Sequence, residues 1–182
     1  MEERTLAETP WLSLREKVFH TRNGQEKKWS YVTRPNTGGG VCIIATTREA
    51  PRDVILVRQF RPALGQHVYE FPAGLLDDGE TWEAAALREL QEETGYTGTI
   101  RTTGPLALSS PGLTDEGNVV IEVVITGQGE PAPEDEERIE VLRWPLAELF
   151  PRLQELACAG ERIDAKLWCY ALGRHAAQRD AT

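Results

Sequence analysis

The chain has 182 residues, 40% of them hydrophobic and 27% charged, with a formal charge of −9, the composition of one soluble globular domain rather than of a disordered or fibrous chain. So acidic a protein is a poor non-specific partner for nucleic acid or for an anionic membrane surface, whose phosphates call for lysine and arginine. An anionic substrate would need local arginines or bound cations to reverse the sign at its site.

Three cysteines (Cys42, Cys158 and Cys169) are an odd number without metal-like spacing, so no disulfide framework is expected. Cys42 lies in the apolar run Val41 to Ala45 and reads as a buried thiol. The acidic stretch Met1 to Pro10 lacks the apolar centre of a signal peptide. No run approaches the ~20 apolar residues that span a bilayer, and the cytoplasm is the expected compartment.

In chain order, residues 17–33 read as a hairpin. Val18-Phe19 and Trp29 to Val32 flank Asn23-Gly24, two residues that tolerate positive φ. Gly38-Gly39-Gly40 then reads as a boundary, dividing an N-terminal β segment (1–38) from the main domain (39–182). A segment that short cannot bury a core of its own and must lean on the rest of the chain or on a second copy. Strands rich in Val and Ile are predicted at 41–46, 53–60, 67–71, 118–126 and 138–143. A helix is predicted at 81–94, where Trp82, Ala86 and Leu90 recur every fourth residue, with Thr81 as N-cap and Gly95 just past its end. Two more helices are expected near 145–157 and 162–178, and loops at Ser109 to Gly117 and Gly127 to Glu137. Strands mixed with helices of this length predict an α/β sandwich around a mixed sheet.

The helix carries the chemistry. Glu89 and Glu93 are one turn apart on one face, with Glu92 on the flank and only Arg88 nearby as a cation. Bare carboxylates so close repel one another. Hard oxygen donors converging on one place suit Mg2+, with Mn2+ as a substitute.

Gly74, five residues, Glu80, seven residues, then Arg88-Glu89-Leu90, Glu92-Glu93, Gly95 and Tyr96 resembles the signature of the Nudix hydrolases at every defining position. The resemblance implies that family's α/β/α sandwich around a mixed β-sheet and hydrolysis of a nucleoside diphosphate linked to a further moiety. It implies Glu89, Glu92 and Glu93 as metal ligands, with the backbone carbonyl of Ala73, and supporting places for Arg88 and Glu80.

The flanking stretches Val57 to Pro62, Tyr69 to Gly74 and Ser110 to Glu116 are similar to the ADP-ribose and ADP-sugar pyrophosphatase branch. That likeness implies a homodimer paired through the N-terminal segment. It implies Trp11 and Trp29 at the base, Arg34 and Arg61 at the phosphates, and Leu113 beside the substrate. Aligning Ile139-Glu140-Val141 with the family's strand puts Glu137 at the catalytic base, with Glu136 one residue away and Glu92 a further candidate. The tract Thr114-Asp115-Glu116-Gly117 leaves ribose, mannose and glucose derivatives open. ADP-ribose, giving AMP and ribose 5-phosphate, is the expected substrate. The alternatives are a dinucleoside polyphosphate, a coenzyme A derivative or a capped RNA end, and a sensor that binds a nucleotide sugar without cutting it.

Overall fold

The computed structural model describes residues 2–34, 39–132 and 138–180. The chain opens with a three-stranded antiparallel sheet of β1 (Glu3–Glu8), β2 (Ser13–His20) and β3 (Glu26–Thr33), in that spatial order. The expected hairpin is present, with Gly24 at φ 76° in its turn. Strand β1 was not predicted: all six of its residues are exposed, so no alternation marks it. Only Ser13 and Tyr31 are buried in this small sheet. It meets the rest of the chain where Val32 N–H donates to the Leu113 carbonyl (2.8 Å) and Val32 bridges Thr114.

The larger sheet is built from β4 (Gly40–Thr46), β5 (Asp53–Arg61), β6 (Gln66–Glu70), β7 (Ala73–Leu75), β8 (Tyr96–Leu108), β9 (Gly117–Gln128), β10 (Ile139–Pro145) and β11 (Arg162–Ile163). Its order is β11-β6-β5-β4-β9-β8, with β10 on β5 and β7 on β4. The β4–β9 and β11–β6 pairs are parallel and the others antiparallel, so the sheet is mixed as expected. The helices are α1 (Trp82–Thr94), α2 (Leu149–Cys158) and α3 (Ala165–Asp180), and a 3-10 turn (Leu146–Glu148) leads into α2.

Side chains alternate across a strand, so β4 feeds both faces. Val41, Ile43 and Ala45 pack with Ala85, Ala86 and Leu90 of α1. Cys42 and Ile44 pack on the other face with Leu149 and Leu153 of α2 and Leu167 and Ala171 of α3. The result is an α/β/α sandwich. Cys42 is buried as expected, and loss of hydration pushes its thiol up to about 12, which leaves it unreactive.

Three strands of the larger sheet were also absent from the sequence reading. β8 is interrupted by Gly98, Gly104 and Pro105 and slips register in three places against β9, so it lacks a clean period of two. β7 and β11 have three and two residues, too short for periodicity. Residues 162–163, predicted as the start of the last helix, pair with β6 instead. No helix among the described residues is long and apolar enough to cross a membrane.

Candidate active site

Helix α1 is held at both ends. The Thr81 hydroxyl accepts from Ala84 N–H (3.2 Å), and Gly95 closes the C-terminus at φ 73°, its N–H donating to the Gln91 carbonyl (2.8 Å). A side chain at Gly95 would also strike the carbonyl of Gly129, the residue after β9, whose N–H donates to the Gly95 carbonyl. With Ala85, Ala86 and Leu90 facing the sheet, Glu89, Glu92 and Glu93 are left along the side of the helix that meets β7.

Strand β7 pairs with the start of β4 through Val41–Gly74 and Cys42–Ala73. This register brings Ala73 to Glu93, whose carboxylate accepts the Ala73 N–H (3.1 Å) although Glu93 is only 2% exposed. It also brings Gly74 against Glu89. A Cβ on Gly74 would overlap the Glu89 carboxylate, so the missing side chain is the space that carboxylate fills.

Arg88 gathers the remaining acids. Its guanidinium donates to Glu80 (3.0 and 2.9 Å), Glu89 (2.9 Å), Glu92 (3.0 Å) and the Leu75 carbonyl (3.0 Å), with Asp77 at 3.7 Å. Hydrogen bonds to Glu80, then Glu89 and Glu92, hold Arg88 well above its ordinary value. In return the guanidinium holds the Glu80 carboxyl below the usual carboxylate range. A lowered carboxylate favours the folded arrangement above its ordinary pKa, so the Glu80–Arg88 contribution fades only as the solution turns strongly acidic.

Among the described residues no three His, Cys, Asp or Glu side chains already form a closed metal cage. Mg2+ does not need one, because it keeps waters and takes one or two carboxylates together with substrate phosphates. The donor set fits such an ion: all-oxygen, held in place by Arg88 and the Ala73 amide, with Glu92 half-exposed on the flank.

The residues expected on the substrate side divide. Arg61 forms a two-pronged pair with the buried Glu70 (2.7 and 2.8 Å), and Glu70 first, then Glu93, raises the Arg61 pKa. Arg34 pairs with Glu116 (3.1 Å) beside a recess of about 150 Å³. Trp29 donates its indole N–H to the Gly112 carbonyl (3.2 Å), next to Leu113, which is exposed. Trp11 is 76% exposed on the β1–β2 turn and has no ring partner among the described residues. Glu136 and Glu137 lie outside the described residues. Just before them, Ala132 N–H donates to the Glu92 carbonyl (2.8 Å), and Gly129 N–H to that of Gly95 (2.7 Å). Sequence reasoning missed Glu70 and Glu116 as partners of Arg61 and Arg34. Only strand register and loop closure bring them together, and neither has a local signature.

Gly74→Ala tests the gap beneath Glu89. The displaced atoms end a flexible side chain, so the melting temperature should move little. Metal affinity, read from the Mg2+ dependence of turnover, should weaken roughly 10- to 100-fold. An unchanged Mg2+ response would show that Glu89 does not depend on this gap.

Comparison with known proteins gives the family. The NUDIX domain model matches residues 36–164. ADP-sugar pyrophosphatase of Mus musculus is 35% identical over 188 residues, covering 96% of this chain and 86% of that protein. ADP-ribose pyrophosphatase of Saccharomyces cerevisiae is 32% identical over 189 residues, covering 95% and 82%. A crystal structure of an ADP compounds hydrolase superposes with a TM-score of 0.66 at 20% identity, over 85% of this chain and 81% of that one, a likeness of fold. Box, fold and relatives agree, and the chain belongs to the NUDIX family of hydrolases.

Proposed function

We propose that this protein hydrolyses the diphosphate bond of nucleoside diphosphate sugars, ADP-ribose foremost, to AMP and ribose 5-phosphate, with Mg2+ held by Glu89, Glu92, Glu93 and the Ala73 carbonyl. The observation that carries the reading is the Arg88-centred group of carboxylates against Ala73 and Gly74. The substrate class follows from relatives that match nearly the whole chain and are named for ADP-ribose and ADP-sugars. When bound, the cation supplies positive charge to the diphosphate and acidity to the attacking water.

The chain's own residues do the rest. Arg88 fixes Glu89 and Glu92 in place, and the Ala73 amide orients Glu93. Arg61 and Arg34 serve the phosphates and the nucleotide with the guanidinium nitrogens that their pairs with Glu70 and Glu116 leave over. The proton of the attacking water goes to Glu137, on the stretch that follows the Ala132–Glu92 tether and enters β10. Retention of the full acidic set disfavours a non-catalytic sensor.

A homodimer completes the base pocket. Leu6, Trp11, Leu12, Leu14 and Trp29 are all exposed on the small N-terminal sheet, a concentration of apolar surface that calls for cover. With Trp11 of one copy near Trp29 of the other, a base would stack between indoles, which favours purines and pyrimidines alike.

Incubation with Mg2+ and a panel of nucleotide sugars should release AMP and ribose 5-phosphate from ADP-ribose. Glu137→Gln should lower kcat roughly 100- to 10,000-fold while affinity stays within about tenfold, and Glu136→Gln should be far milder. No cleavage of any nucleotide sugar would overturn the substrate class, and reversed effects would move the base to Glu136. Light scattering should give twice the 20.3 kDa chain mass, and deletion of residues 1–38 should abolish dimerisation. A monomeric full-length protein would contradict the shared pocket.

A further inference from the structure

At the opposite end of β4 the charge pattern reverses. A cleft of about 340 Å³ opens between the β4–β5 turn and β8, lined by Thr46, Arg48, Arg52, Thr99 and Arg101. It runs on into a narrower crevice that Arg52 and Arg101 share with Arg174 of α3. Four arginines thus gather on a chain whose formal charge is −9.

Around the acidic helix and the neighbouring strands Arg88, Arg61 and Arg34 are tied to carboxylates. Those of the cleft differ. Among the described residues neither Arg48, Arg52 nor Arg174 has a carboxylate within ion-pair distance, and Arg101 reaches Glu122 only at 3.9 Å. The Arg174 Nε, shielded from solvent, has no hydrogen-bond partner among the described residues, while the guanidinium hydrogen-bonds the Tyr170 side chain and lies 5.7 Å from that ring's centre. Arg101 sits where the β8–β9 register slips, between Ile100 and Thr102, and such a bulge re-aims the side chain it carries. Glu122 lines the crevice as its one carboxylate among the described residues, while Glu49 and Asp53 line an adjoining hollow that shares Thr47 and Arg48 with the cleft and in which Asp53 holds Arg143 at 2.7 Å.

Four guanidinium groups lining the cleft and crevice against the one carboxylate of Glu122 cost electrostatic energy, which an anionic ligand would recover. Guanidinium forks match phosphate oxygens two at a time, and threonine hydroxyls add neutral donors. A cleft of about 340 Å³ has room for only a short anion. The site also lies apart from the acidic helix. Gly74 pairs with Val41 and the cleft begins at Thr46, five residues and roughly 16 Å further along β4.

We propose that this cleft is a second ligand site, for a short linear polyphosphate chain, free or carried by a nucleotide, separate from the hydrolytic site. The test is an NMR titration of the 15N-labelled protein in EDTA with inorganic tripolyphosphate and, separately, with ATP. Amide shifts should map to residues 46–52, 99–102 and Arg174. The double variant Arg52→Glu/Arg101→Glu should weaken binding by about tenfold or more, while ADP-ribose hydrolysis with Mg2+ is unchanged. Arg52→Gln/Arg101→Gln serves if charge reversal disturbs the fold. Tripolyphosphate binding as tightly as ATP assigns the site to the phosphate chain alone, and tighter ATP binding assigns it to a nucleotide. Shifts confined to Arg34 and Arg61, equal shifts from sulfate at matched ionic strength, or unweakened binding in both variants would overturn the proposal.

Discussion

One guanidinium, that of Arg88, stands among Glu80, Glu89, Glu92 and Asp77, and the candidate site depends on it. Two glutamates one turn apart on a helix, with a third beside them, repel one another. A single cation within 3.0 Å of Glu80, Glu89 and Glu92 offsets that repulsion and fixes the carboxylates in one place. Lysine has one point charge and could not hold three carboxylates and the Leu75 carbonyl in the same geometry. The long span between Gly74 and Glu80 has the same cause, since the chain must turn back for Glu80 to reach Arg88 from outside the helix.

The sheet supplies the second half. Pairing of β7 with the start of β4 presses Ala73 and Gly74 against α1, so one amide orients Glu93 and one missing Cβ makes room for Glu89. The arginines nearest the proposed substrate are already matched by acids, Arg61 by Glu70 and Arg34 by Glu116. With these cations balanced and three glutamates on the helix, the site by itself has little attraction for a diphosphate. Added divalent charge resolves that difficulty, which is a physical reason for the box and the metal to belong together.

Much of this was legible in the chain. Helix 81–94 was marked by period, N-cap and closing glycine, and α1 runs Trp82–Thr94 between those two caps. The apolar strands at 41–46 and 53–60 matched β4 and β5 because both faces of each are buried, leaving a continuous signal. What stayed hidden was non-local or aperiodic. β1 carries Glu, Arg and Thr with every residue exposed. β8 breaks its period with two glycines, a proline and three slips of register. The glutamates appeared in the sequence as ligands, while the reason Gly74 must be glycine became visible only when β7 met α1. The basic cleft was invisible for the same reason, since Arg52, Arg101 and Arg174 come from three separate parts of the chain.

The most direct test of the hydrolytic account is the Mg2+-dependent turnover of ADP-ribose by Glu93→Gln. Glutamine can still accept the Ala73 N–H and fill the same volume, so the fold should survive. Only the charge offered to the metal is removed. Loss of kcat by roughly a thousandfold or more, in a protein with unchanged melting behaviour, is the predicted result. Near-full Mg2+-dependent activity in that variant would contradict the assignment of α1 as the metal-binding element.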